Sequence, residues 1–549
     1  MSALSRLIVL TSLLCAAALD VRSDRRRCRA YEKVEVRELA VNENETQIAH
    51  DGHWFGVKPM QYQIRLLIPD IPDTDNPNVP YSGMFVRKSE SSRAIDTMMM
   101  PRNSRMIYPC IDHIALKARF RLCVQHQAQH RVLSCAPQVD RRSNNWLHNE
   151  VVFFVERMSQ IVQMPFVMPK LDLVIQPLGW FYMGFAHMGL LVLSDVLHHG
   201  GDQQEPWMCR FASDVLANAI AQQWTSSVSC GTWRFAALPT GLNLYLGFTL
   251  MADAGWYVLT EHYATRRIPD VMYFEATELG VPMINLHDDD NEQSALYVYV
   301  RSHVVFYMIG SVYGQGSILD LAARMVHEFK KGNAGLPEWM DMLRTVTGDE
   351  YSGEMLYTWA TTIGYPLVSS TRRCNGTHAI VTIAQKACGT LIILGPGCAH
   401  LPGIQIGGFT GRKPFPFSIT YVDSDRRRKR VEFPFWTYFM KSAMTEIAVP
   451  NTCSVESAVA GHFVVDPQQQ VLARYVYTAR NYLSLFEACL KDTAANKCLV
   501  LQISEVVLDF CFVMLHSQLP LDSDPDYGNV TIWDEVLALL RIHTKWMKM

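Results

Sequence analysis

Four of the six histidines from position 187 to 303 (His187, His198, His199 and His303) are the residues to weigh for a metal site, because neutral imidazole is a common metal ligand. His198 and His199 are adjacent, and neighbouring side chains diverge on most backbones, so the two are not expected to chelate one ion. The acidic run His287 to Glu292, HDDDNE, offers oxygen donors suited to calcium. It lacks the spacing and the glycine of an EF-hand loop, so its expected role is a solvated acidic loop. The chain has no glycine-rich phosphate loop and no G-x-S-x-G nucleophile elbow, and the GPG at Gly395–Gly397 reads as a turn. The basic run Arg426 to Arg430, RRRKR, lies between two strand-like stretches. It fits a solvated hairpin tip, a cleavage site for a basic-specific convertase, or a polyanion patch, and the residues alone leave all three open.

The elements that hold these residues change character along the chain. Up to about residue 170, β-prone pieces such as QYQIRLLIPDIPD, ALKARFRLCVQHQ and HRVLSCAP alternate with turn residues including Pro69, Asp70, Pro72 and Pro77. A mainly β region is expected there. From about 172 to 365 the pattern is helical. FASDVLANAIAQQW places Phe211, Val215, Leu216, Ile220 and Trp224 at helical spacing, with Ser213 and Asp214 near the expected start. Short alternating strands return between 366 and about 465 (AIVTIAQ, FSITYV, EFPFWTYF), and the stretch from about 470 to Met549 reads as helical.

The 549 residues, 49% of them hydrophobic, call for three or four domains, since single cores stop growing at roughly 250–300 residues. A formal net charge of -3 gives no global electrostatic reason to expect nucleic acid as a partner. Arg6, the apolar run Leu7 to Leu14 and the small residues Ala16 to Ala18 have the form of a secretory signal peptide cleaved near Ala18. The run falls short of the ~20 residues of a membrane-spanning helix. Leu244 to Leu259 and Cys498 to Leu515 each contain acidic residues and read as buried core helices, so a soluble, secreted or cell-surface-associated product without a transmembrane span is expected. Fourteen cysteines, Cys15 among them, fit an oxidising compartment, with Cys489 and Cys498 close enough in sequence to pair. Sequons at Asn44, Asn375 and Asn529 are expected glycan sites.

Seven pieces, in order, resemble landmarks of the gluzincin zinc aminopeptidases of the membrane alanyl aminopeptidase type. YSGMFVRKSE with MIYPCIDHIALKARF resembles the first-domain signature, and MPFVMPKLDLVIQP the entry to the catalytic domain. MGFAHMGLL falls where G-A-M-E-N-W-G-L stands, ANAIAQQW where H-E-x-x-H-x-W stands, and TWRFAALPTGL where W-N-D-x-W-L-N-E-G-F stands. YVRSHVVFYMI takes the place of the Y-x-K-G segment, and WATTIGYPLV resembles the W-x-x-x-x-G-Y-P-V that closes the domain. The resemblance is strongest over residues 80 to 370. It implies an α+β multidomain fold: a β-rich domain over 19–171 after a signal peptide at 1–18, a thermolysin-like domain over 172–365, a β-sandwich over 366–465 and a shortened helical domain over 466–549. The first domain is expected to be shortened between about 145 and 165.

Carried over residue by residue, the resemblance puts Asn218 and Gln222 at the two histidine ligand positions, Thr240 at the glutamate ligand (Gly241 if the gap is moved), and Ala219 at the general base. Ala186, with His187 beside it, falls at the glutamate that would hold a substrate's free amine. Neutral amides are poor zinc ligands and alanine takes no proton. Tyr299 matches the oxyanion-stabilising tyrosine, and Trp224, Trp233 and Gly241 match positions better explained by packing. The expectation is a non-catalytic secreted glycoprotein with no cofactor, binding a peptide or protein or pairing with an active paralogue. The alternative is a metallo-aminopeptidase with an unorthodox zinc site drawn from the four histidines.

Overall fold

The computed structural model describes side chains for most of residues 149–175, 184–194, 208–272, 282–284, 301–384, 463–487 and 534–539 and for residues 446 and 448, and elsewhere only the backbone of the strands and helices named below. Its contacts divide the chain into two compact units, one of residues 1–152 and 165–227, the other of residues 153–164 and 228–549.

The first unit begins with short strands: β1 (Arg6–Val9), β2 (Arg37–Leu39), β3 (Thr46–His50), β4 (His53–Val57), β5 (Gln61–Gln63), β6 (Gly83–Lys88), β7 (Arg93–Met98) and β8 (His130–Leu133). They form a four-stranded sheet in the order β6-β7-β1-β8 and the two-stranded pairs β2-β5 and β3-β4. The apolar run read as a leader thus supplies β1, parallel to both of its neighbours. The 18-residue helix α1 (Asn145–Val162), whose residues from Phe153 on belong to the second unit, lies inside the region expected to be β-rich and shortened. Its buried Phe154, Met158, Ile161 and Val162 have the spacing of one helical face. It ends in a Schellman-type stop: Gln163 is left-handed at φ 52°, and Met164 N–H donates to the Ser159 carbonyl at 3.1 Å.

Strands β9 (Asp172–Gln176), β10 (Gly184–His187) and β11 (Leu190–Ser194) form a second sheet in the order β10-β11-β9, with β9 parallel and β10 antiparallel to β11. Helix α2 (Pro206–Thr225) contains the expected helical stretch but starts seven residues before Ser213. Proline is preorganised for a first helical position, so the start falls at Pro206. Buried Ser213, free of a capping role, donates from Oγ to Glu150 Oε2.

Between Ala237 and Thr361 the described elements of the second unit are helices. They are α3 (Ala237–Asp253), α4 (Leu259–His262), a π-helical turn Tyr263–Arg267, α5 (Ile268–Thr277), α6 (Ala295–Tyr313), α7 (Gln315–Phe329), α8 (Leu336–Thr347) and α9 (Glu350–Thr361). With the 3-10 turn Trp233–Phe235 before it, α3 is long and apolar enough to cross a membrane by composition, yet 67% of its most apolar stretch is buried. That burial matches a core helix. Gly241 is the closest approach of α3 to α6: a Cβ there would lie 2.4 Å from Ser302 Oγ and 2.8 Å from the Ser302 carbonyl carbon. Only glycine fits, in line with a packing role.

Strands return at β12 (Tyr365–Asn375) and β13 (His378–Cys388), an eleven-pair hairpin. Strand β14 (Ile419–Val422) pairs with β15 (Arg428–Val431), so the last three basic residues of Arg426 to Arg430 belong to a strand rather than to a hairpin tip. Then come β16 (Met444–Val449), β17 (His462–Val465), β18 (Arg474–Tyr477) and α10 (Ala479–Lys491). The sheets run β16-β13-β12-β18 and β15-β14-β17. Strand β18 stands at the head of the stretch expected to be helical from about 470; its partner β12 supplies the parallel pairing that holds it.

Candidate functional site

Asn218, Ala219 and Gln222 share one turn of α2, as their spacing requires. Asn218 is turned back on its own helix: Nδ2 donates to the Asp214 carbonyl at 2.8 Å. Ala219 is buried, and Gln222 half-buried. The residue between Gln222 and Trp224, which sequence reasoning passed over, does the connecting. Gln223 is 2% exposed; its Oε1 accepts from Gly189 N–H at 2.7 Å, and its Nε2 donates to the His187 carbonyl at 2.9 Å. It clamps the two-residue turn between β10 and β11 onto α2. Gly189 holds that turn at φ +78°, with the Lys170 carbonyl 3.0 Å from where a Cβ would sit. Trp224 packs edge-on to Phe166 at 5.5 Å, a packing role as expected.

Ala186 and His187 occupy the last two positions of β10. The His187 imidazole has a buried Nε2 with no hydrogen-bond partner, and burial pushes its pKa down to about 4, so the ring is neutral at physiological pH.

In the second unit Thr240 lies half-buried in the first turn of α3, its N–H bonded to the Ala236 carbonyl. Tyr299 is in α6, and its side chain lies outside the described residues. His303, one turn on, is sealed against the rings of Phe248 (5.1 Å) and Tyr263 (5.6 Å), and burial is the first cause that holds its pKa well below the ordinary histidine value. Beside it, Arg301 is fully buried. Its guanidinium donates to the carbonyls of Trp359 (3.2 Å), Thr362 (2.8 Å) and Gly364 (3.4 Å), capping the C-terminal end of α9.

His198, His199, the run His287 to Glu292, Asn44, Asn529 and the side chains of Cys489 and Cys498 lie outside the described residues. Cys230 is a buried free thiol, pushed up to about 11 by burial. Asn375 is exposed at the end of β12. Among the described residues, no three His, Cys, Asp or Glu side chains are grouped to hold a metal ion.

No protein-family model matches the chain, and no curated protein does. Among solved structures, the aminopeptidase A of Legionella pneumophila in complex with aspartic acid is similar over 67% of this chain, at 12% identity and a TM-score of 0.48. The matched region spans 39% of that protein's length.

Proposed function

We propose that the chain is a secreted, aminopeptidase-like protein that binds a peptide or protein without hydrolysing it. The observation that carries this reading is the α2 turn. At the positions where the resembling family holds zinc and its general base stand two neutral amides and a buried methyl, and one amide donates to its own helix. The donor set Asn218, Gln222 and Thr240 does not fit zinc, which takes imidazole, thiolate and carboxylate. Ala219 has no atom that accepts a proton. No step of metal-assisted hydrolysis is assigned to these residues.

Secretion rests on the N-terminal pattern, and the exposure of Asn375 at a hairpin end suits a glycan there. Cleavage at Ala18 would take β1 away from β7 and β8, so the leader and the strand are exclusive fates for Arg6–Val9. N-terminal sequencing of the secreted chain decides between them, and a start near residue 19 is expected.

The decisive test is metal content after dialysis against trace zinc, with release of N-terminal residues measured on the same sample. Next to no zinc and no release are expected. A stoichiometry near one zinc per chain with aminopeptidase activity would instead establish the unorthodox metal site.

A further inference from the structure

Residues five apart do not face each other on an α-helix, where about 100° per residue leaves them roughly 140° apart. Between His262 and Arg267 the backbone widens into the π-helical turn Tyr263–Arg267, and the wider winding brings the two side chains together. Arg267 Nε donates to His262 Nε2 at 3.0 Å. That bond needs the lone pair on Nε2, so it exists only while the imidazole is uncharged at that nitrogen. Other ring contacts gather around it. His262 is 3% exposed and stacks on Tyr257 at 4.1 Å, with 10° between the rings. Arg267 lies over the face of Phe248 from α3, 4.3 Å from the ring centre. Beneath them Tyr263 stacks on Tyr307 of α6 at 3.9 Å and 3°, both hydroxyls buried without a partner.

We propose that this π-helical turn is an acid-released latch, opened when a proton displaces Arg267 from His262. Protonation turns the acceptor into a donor and sets an imidazolium against a guanidinium in a nearly dry site. Arg267 then leaves the Phe248 ring, and the π-helical turn loses the side-chain bond that joins its two ends.

The charges around the latch push the same way. Arg266 adds a second cation on the same turn. Glu261 is exposed and offers little screening-free compensation. Asp253, at the end of α3, is paired with Arg157 at 2.7 Å. Asp270 lies 3.7 Å from Arg267 Nη1, and burial holds its carboxyl above the ordinary value against the pull of Arg267 and Arg266. Acid therefore reaches the counter-charge of Arg267 sooner than it reaches an ordinary carboxylate. From α6, His303 is held neutral by burial, Arg267 and His262, and a charged His262 only strengthens that. The hydroxyls of Tyr245, Tyr263 and Tyr307 are pushed upward by burial and stay neutral throughout.

The test is hydrogen exchange of the full chain, read by mass spectrometry at pH 7.5 and 5.5 with times rescaled for intrinsic exchange. Peptides covering 257–270 should lose protection about tenfold or more on acidification, a change of roughly one order in the opening constant, while α8 does not. His262→Gln keeps an acceptor for Arg267 but does not titrate, so it should abolish the acid loss and retain protection at pH 7.5. Arg267→Met should leave the segment open at both pH values. Unchanged protection of the wild type at pH 5.5 overturns the latch. So does an undiminished acid response in His262→Gln, or wild-type behaviour in Arg267→Met.

Discussion

Gln223 in the first unit and Arg301 in the second are both buried, and both hydrogen-bond to backbone groups far away in sequence. They differ in what they offer. The amide both accepts and donates, so it can hold a turn by one N–H and one carbonyl at once, without charge. The guanidinium only donates, and it meets a helix end, whose last carbonyls have no intrahelical N–H to accept from. The lesson is that a buried polar group is placed by the shortage it relieves: a β-turn lacks both kinds of partner, a helix C-terminus only one. At the family's ligand positions, by contrast, the Asn218 amide donates to a carbonyl of its own helix, that of Asp214.

The largest effect expected from this comparison follows removal of the charged clamp. Arg301→Met leaves the carbonyls of Trp359, Thr362 and Gly364 without that donor and should cost about 3–5 kcal/mol, read from denaturant midpoints at unchanged m-value. A loss under about 1 kcal/mol would show that water replaces the guanidinium.

The second effect separates the units by pH. His187 titrates at about 4 in the folded chain against about 6.5 when free, so the unfolded state binds more protons between those values. Stability of the first unit is therefore lost as pH falls from about 6.5 to about 4, by about 3 kcal/mol when complete. Asp466 has the opposite sign. Burial raises its carboxyl to about 6, in spite of hydrogen bonds from Gln470 N–H, Val471 N–H and the Tyr475 hydroxyl. The folded state keeps that proton longer than the unfolded one, so acidification from about 6 towards 4 adds up to about 3 kcal/mol around β17 and β18, while His303 subtracts elsewhere in the same unit. Site-resolved hydrogen exchange between pH 6.5 and 4.5 should show β10 and α2 weakening while residues 463–477 tighten. His187→Leu should remove the first trend and Asp466→Asn the second.

The smallest effect belongs to the neutral clamp. Gln223→Leu leaves the Gly189 N–H and the His187 carbonyl without its amide and should cost about 2 kcal/mol. Exchange of the Gly189 amide should speed up before that of the α2 interior; equal acceleration throughout would mean the clamp holds the whole unit.

What the sequence makes legible is local periodicity. The body of α2 follows from Phe211, Val215, Leu216, Ile220 and Trp224, and strand β13 from the alternation in AIVTIAQ. Helix α1 carries an equally clear stripe at Phe154, Met158, Ile161 and Val162, but the turn residues upstream favour strands and hide it. Short runs such as RYVY at 474–477 carry too few residues to separate strand from helix, and their partner, β12, decides. The clamps are illegible for a different reason. Nothing beside Gln223 or Arg301 in sequence announces a partner 34 or 58 residues away, since those partners are backbone atoms that every residue possesses. At the candidate site the lost ligands can be read from residue type, whereas the direction taken by the Asn218 amide depends on the fold around α2.

Strand β12 also sets a schedule for synthesis. Its hairpin partner β13 leaves the ribosome directly behind it, but its other neighbour, β18, comes much later; the Ser370 hydroxyl donates to the carbonyl of Val476, 106 residues on. At about 5–20 residues per second that edge waits roughly 5–20 s for its mate. During that interval a long strand exposes unpaired backbone groups on a nascent chain, an open template for pairing with another copy. Chaperone demand in the producing cell should therefore peak after residue 388 is made and fall once residue 477 has emerged.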